Sequence, residues 1–275
     1  MSELKQELAR AATMLDLGRY DEASTLLARV VSAEPDSGRA WCLFARAHLG
    51  ADRYAEAVES ANRAAAIEPT EEWPHRLASN ALMHLGNHAE ALRAAAESRR
   101  LAPGYWQTHV CVAQAALAAG QPALAATAAA EARKLAPNEP DVHFLSGKVA
   151  LARGDLAAAR GHQERALALD PAHSGAMNEL GRIRLRRHDT VGAIRHFISA
   201  ARTAPGEQSR RLVVSPEVEH RGGPRQFLSL LCQVTGSVRS DAACGGMPLD
   251  HRMRHFRWRT TQRCARSRTR CRATA

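Results

Sequence analysis

Residues 38–71 read GRAWCLFARAHLGADRYAEAVESANRAAAIEPTE. Trp41, Phe44, Ala45 and His48 fall at i, i+3, i+4 and i+7 and mark one face of a helix. A break follows around Gly50 to Arg53. A second stripe, Tyr54, Ala57, Val58, Ala61 and Ala64, predicts a second helix, and Glu68-Pro69 ends it because a residue before proline is pushed out of helical backbone. The proline is one of six in phase, Pro35, Pro69, Pro103, Pro137, Pro171 and Pro205, each 34 residues from the next. Ala23, Ala57, Ala91, Ala125, Ala159 and Ala193 each precede their proline by 12 residues. Such a series implies a demand for a small side chain where the two helices of a unit cross. Breaks recur in phase at Gly18, Gly86, Gly120 and Gly154, where a residue without a β-carbon relieves a sharp turn.

The spacing predicts six helix-turn-helix units, 4–37, 38–71, 72–105, 106–139, 140–173 and 174–207, followed by a basic tail over 208–275. These residues resemble the tetratricopeptide repeat family, whose pattern is W-x2-L-G-x2-Y, then A-x3-F, then P over 34 residues. The second unit supplies Trp41, Phe44, Ala45 and His48, and the last supplies Leu180, Gly181, Ala193, Phe197 and Pro205. The resemblance covers residues 4–207. It implies an all-α fold, a right-handed α-solenoid of about six repeats with a disordered C-terminal tail, and a general role in protein recognition. Glu7 stands where Trp41 stands in the next unit, so the first unit is expected to be a frayed cap. Phe227 and Arg239 occupy the places where a seventh unit would need Ala and Pro, so the array is expected to stop near Glu207.

Composition agrees with a helical array. Of 275 residues, 45% are hydrophobic but only 4% aromatic, so the core must be built largely from Ala and Leu. The formal charge of +10 divides unevenly: residues 1–207 carry 24 Lys+Arg and 24 Asp+Glu, while residues 208–275 carry 14 Arg against 4 acids, which accounts for 14 − 4 = +10. The basic character therefore belongs to the tail. Charges from Glu3 onward argue against a secretory signal, and no run is long enough to span a bilayer, so a cytoplasmic protein is the expectation. Six Cys without a CxxC pair support neither a disulfide framework nor a common zinc spacing.

In stacked repeats the first helix of each unit lines a concave surface. Steps of 34 give a ladder of Ala12, Arg46, Asn80, Gln114, Lys148 and Arg182, beside rows containing Leu8, Cys42, Arg76, Val110, Phe144 and Asn178, and Lys5, Arg39, Trp73, Gln107, Asp141 and Gly175. The first ladder contains no acid and offers donors from five consecutive units, which suits an acidic or extended protein segment. The candidate groove is therefore Arg39, Cys42, Arg46, Trp73, Arg76, Asn80, Gln107, Gln114, Phe144, Lys148, Asn178 and Arg182. The same residues would also serve as an ordinary solvated helix face. Some relatives grip a C-terminal carboxylate with a Lys and Asn clamp. Arg76 and Asn80 imitate its first half, but Cys111, Asp141 and Leu145 break its continuation, so that clamp is not expected.

His75, His109 and His143 occupy the Trp41 site in three consecutive units. Zinc needs ligand atoms within ~2.0–2.1 Å, whereas packed helices lie ~8–10 Å apart, so planar substitutes for Trp are the preferred reading, with acid sensitivity expected from their burial. No Ser-His-Asp order, phosphate-binding glycine loop or HExxH occurs, so neither an enzyme nor a cofactor is expected. In the tail, Arg254, Phe256, Arg257, Trp258 and Arg259 alternate rings that stack on bases with guanidiniums that meet phosphate, a second reading in which the partner is RNA. A tail translated in a shifted frame would have the same composition.

Overall fold

The computed structural model describes residues 3–203. The array boundary at Glu207, the tail 208–275 and its five candidate RNA-contacting residues lie outside them. Among the described residues there are twelve helices and no strand. They run α1 (Glu3–Asp16), α2 (Tyr20–Ala33), α3 (Gly38–Gly50), α4 (Tyr54–Ile67), α5 (Trp73–His84), α6 (His88–Leu101), α7 (Trp106–Ala118), α8 (Pro122–Leu135), α9 (Pro140–Ala152), α10 (Leu156–Leu169), α11 (Ser174–Arg186) and α12 (Thr190–Thr203). The described residues divide into two compact units, one ending at Leu180 and the other beginning at Gly181, inside α11.

In the first unit each helix packs on its predecessor and successor, from α1 on α2 through to α9 on α10. The two helices of a repeat are joined by only three residues, so they run antiparallel. First helices of successive repeats also touch directly, α1 with α3, α3 with α5, α5 with α7 and α7 with α9, while no comparable contact joins successive second helices. The first helices therefore form the closer-set row.

The second helices α2, α4, α6, α8 and α10 are each stopped by the phased proline. The capping residues Glu34, Glu68, Ala102, Ala136 and Asp170 stand immediately before Pro35, Pro69, Pro103, Pro137 and Pro171 and leave helical backbone there. The turn within each repeat is closed by a residue of positive φ, which is Gly18, Gly86, Gly120 and Gly154 where glycine was expected, and Asp52 and His188 at the same register.

The core is dominated by alanine and leucine. All six phased alanines, Ala23, Ala57, Ala91, Ala125, Ala159 and Ala193, are 0% exposed. Enlarging one would force the crossing apart, at a cost of about 1–3 kcal/mol. Contrary to the expected frayed cap, α1 is a complete helix whose Ala11, Met14 and Leu15 join a core cluster with Leu27 and Leu43. Glu7, which replaces the aromatic, forms an ion pair with Arg29 of α2 at 3.0 Å.

The Trp41 site has a further logic. Trp41 Nε1 donates to the Pro35 carbonyl at 2.8 Å, and the Nε2 atoms of His109 and His143 lie 2.8 Å from the Pro103 and Pro137 carbonyls. Each partner is the phased proline six residues back. A carbonyl only accepts, so Nε2 carries the proton in both imidazoles. Indole and imidazole are interchangeable here because both present a ring N–H at the rim of a flat apolar body. This fastens the start of the first helix to the end of the preceding second helix.

Candidate functional site

Two clefts open on the row of first helices in the first unit. One, of about 580 Å³, lies over α3 and α5 and is lined by Arg46, Leu49, Trp73, Arg76, Asn80 and His84, with Tyr20 at its edge. The other, of about 300 Å³, lies over α5, α7 and α9 and is lined by Trp106, Gln107, Val110, Gln114, Asp141 and Phe144 together with Arg76 and Asn80. Arg76, Leu77 and Asn80 belong to both, so the clefts are contiguous.

Of the expected groove residues, Arg46, Trp73, Arg76, Asn80, Gln107, Gln114 and Phe144 are brought together here. Asn80 and Gln114 are exposed and have no hydrogen-bond partner among the described residues. Gln107 Oε1 is buried without a hydrogen-bond partner, which leaves an acceptor for a ligand donor. Lys148 extends over the Phe144 ring, its Nζ 5.6 Å from the centroid. Arg39 is exposed at the start of α3, outside both clefts, and Asn178 is half-buried on α11 with an unpartnered Oδ1. Arg182 is exposed and belongs to the second compact unit.

Cys42 is the correction. It is 2% exposed and packs with Ala45, Ala61 and Leu77. Arg76 and Phe144 occupy the same row one and three units later, but they are long enough to reach the surface; the cysteine ends beneath the next first helix. Burial, with Glu68, Glu71 and Glu72 nearby, pushes its thiol up to about 12, so it stays protonated and unreactive.

The electrostatics differ from what a single ladder suggests. Arg46 Nη2 meets Asp16 Oδ1 at 2.7 Å, a carboxylate at the end of α1. Arg76 straddles Glu72, with Nε and Nη2 each 3.2 Å from a carboxylate oxygen, and Ser98 Oγ donates to the same carboxylate at 3.0 Å. Arg76 also lies 5.9 Å from the centroid of the Tyr105 ring. At the far end Asp141 Oδ1 accepts from His173 Nε2 at 3.1 Å, which holds the His173 imidazole above its usual range and Asp141 below the usual carboxylate range. The cationic ladder is thus partly neutralised by acids in neighbouring rows. Tyr20, His84 and Trp106 join the clefts from positions that no row singled out, being set by helix packing across units.

Among the described residues no three His, Cys, Asp or Glu side chains gather as a metal site would require. The Nε2 atoms of His109 and His143 are spent on carbonyls.

Family models described as tetratricopeptide repeat match residues 14–80 and 113–174. Among solved structures the chain is similar to a thermophilic tetratricopeptide repeat protein of Thermus thermophilus, with a TM-score of 0.61 and 21% identity over 66% of this chain and 99% of that one. It is similar to a tetratricopeptide repeat protein of Parabacteroides merdae, with a TM-score of 0.68 and 12% identity over 76% of this chain and 82% of that one. It is also similar to a chain of the Cut9–Hcn1 hetero-tetramer of APC/C, with a TM-score of 0.68 and 16% identity, covering 83% of this chain but 46% of that one. At these identities the likeness shows the fold, an α-solenoid of helix-turn-helix repeats. No curated protein matches by sequence.

Proposed function

Since the chain is a tetratricopeptide repeat protein, a fold that serves as a scaffold for protein–protein interaction, we propose that its first helices receive an extended, acidic segment of a partner protein. The observation that carries this reading is the contiguity of the two clefts through Arg76, Leu77 and Asn80. Successive helices stand ~8–10 Å apart, and an extended chain advances ~3.3 Å per residue, so about three ligand residues pass over each repeat. The amides of Asn80, Gln107 and Gln114 suit the backbone of such a chain, since each both donates and accepts. Trp73, Val110 and Phe144 offer apolar anchors between them.

Preference for acid rests on Lys148, and on Arg46 where a ligand carboxylate displaces the exposed Asp16, while Arg76 is committed to Glu72 and Arg39 stands outside both clefts. Selectivity for charge is therefore modest, and the amides and rings supply most of the affinity. The protein on this reading is a cytoplasmic adaptor without catalytic activity or cofactor. No helix among the described residues is long and apolar enough to cross a membrane.

The test is affinity capture from lysate with the chain truncated after Glu207, followed by the same capture with Arg46→Glu and Lys148→Glu combined. Capture falling to background in the double variant is expected because two repulsive acids replace two cations, and Asn80→Ala and Gln114→Ala in the otherwise unchanged chain should each weaken it. Capture that survives the double reversal overturns the groove reading. The second reading rests on the alternating Arg254, Phe256, Arg257, Trp258 and Arg259, and predicts salt-sensitive RNA binding that the truncation abolishes.

A further inference from the structure

A separate cleft of about 250 Å³ lies between α8 and α10, over α9. On α9 and its capping residue it uses Ser146, Val149, Ala150 and Arg153, whereas the clefts described above use Asp141 and Phe144. At 100° per residue these sets lie on opposite sides of the helix. It is lined by Ala126, Ala129, Ala130, Val149, Ala150 and Ala158, while its polar residues, dominated by Arg133, Arg153 and His162, present the larger share of its surface.

The repeats provide an internal control. One unit earlier the places of Arg133, Arg153 and His162 are taken by Arg99, Ala119 and Ala128, and two units earlier by Ala65, Leu85 and Ala94. At two of the three places the earlier units are satisfied by small or apolar residues, so relative to them Arg153 and His162 are additions beside an arginine already present one unit before. Neither Arg133 nor Arg153 has a carboxylate at ion-pair distance among the described residues. Arg133 Nη1 instead lies 3.5 Å from His162 Nε2. Asp155, the one carboxylate in the lining, spends its Oδ1 on the Ala158 N–H at 2.9 Å, capping α10.

We propose that this cleft binds a phosphate group through Arg133, Arg153 and His162. Guanidinium offers paired N–H donors that match the oxygens of a tetrahedral oxyanion. With His162 neutral the lining already carries a formal charge of about +1, from two guanidiniums and one carboxylate. Burial holds the His162 imidazole below its usual range, helped by Arg133 and His143, whose ring lies 6.1 Å away, and opposed by Asp155. A bound anion reverses this balance, so binding takes up a proton on His162.

The test follows the His162 ring resonances of the full chain during titration with inorganic phosphate at pH 7.5, at ionic strength held constant with chloride. Saturable shifts are expected, with Arg153→Ala and Arg133→Ala each weakening binding about tenfold and Asp155→Asn strengthening it. Sulfate, which keeps its charge across the range, should raise the His162 titration midpoint. A phosphoserine peptide that binds more tightly than phosphate and than its unphosphorylated form identifies a phosphorylated protein segment as the source; equal or weaker binding identifies a free phosphate compound. The tail arginines also attract anions, but that binding is indifferent to Arg153→Ala. Absence of saturable shifts at His162, or shifts unchanged in the folded Arg133→Ala, Arg153→Ala double variant, overturns the proposal.

Discussion

A β-carbon added at Gly181 would come 2.4 Å from the ring of Phe197, which is 1% exposed. The same register pairs Ala11 with Leu27, Ala45 with Ala61, Ser79 with Ala95, Ala113 with Ala129 and Gly147 with Gln163. Where the second helix brings a large side chain, the first supplies little or nothing: Gly147 leaves room for Gln163, which is 0% exposed and donates to the Phe144 carbonyl at 3.1 Å. The two positions share one volume, and that makes a double-mutant prediction. Gly181→Ala alone should cost about 1–3 kcal/mol through overpacking. Combined with Phe197→Leu it recreates the Ala11 and Leu27 pair, so urea denaturation should give a favourable coupling of about 1 kcal/mol or more. Strict additivity would refute the shared volume. At this scale the sequence was legible where one position repeats one residue, as in the phased alanines. It was less so at the Trp41 site, where a shared N–H links Trp41 to His109 and His143, because the carbonyl each ring reaches shows only in the fold.

The elements end by two devices, a proline after each second helix and a left-handed residue after each first helix. In the second device the amide of the following residue reaches back five residues, as in Arg53 to His48 at 2.9 Å and Gln121 to Ala116 at 2.8 Å. Glycine takes the left-handed place without strain, whereas Asp52 at φ 58° and His188 at φ 62° take it against the preference of a β-carbon. Asp52→Gly is therefore expected to raise the midpoint of thermal unfolding, by about 0.5–1 kcal/mol of stability, less what the Tyr54 hydroxyl loses in its 2.6 Å bond to the Asp52 carboxylate. Gly120→Ala should lower it by about 1 kcal/mol. Equal effects of the two changes would contradict this account of the turn. The four glycines were readable as breaks. Asp52 fell within a break whose shape the sequence left open, and His188 carried no signal, since its strain exists only once α11 and α12 are formed.

Across the molecule, acid acts on two opposed sets of groups. Burial, reinforced by Arg53, holds the His48 imidazole below its ordinary 6.5, and burial with Arg133 and His143 does the same for His162. The unfolded chain then takes up protons first, so stability falls as pH drops below about 6.5 and levels off beneath the folded values. His173 runs the other way. Its hydrogen bond to Asp141 raises it, so its contribution is full below 6.5 and is lost as pH rises through the raised value. Asp141, held below 3.8, contributes until pH falls through its lowered value. Asp141→Asn should accordingly lower the melting temperature more at pH 5.5 than at pH 8.5, where only the bond from the neutral imidazole is lost, with the wild type falling more gently than the variant between the two. An equal loss at both would sink the assignment. The all-α repeat architecture, the glycine breaks and the alanine crossings were legible in the chain alone, because each follows from residues a few turns apart and recurs in phase. Whether the ladder's cations stand free, with Arg46 against Asp16 and Arg76 against Glu72, was not: rotamers and helix spacing place those partners within reach. The same holds for Cys42, whose burial depends on the neighbouring repeat that covers it.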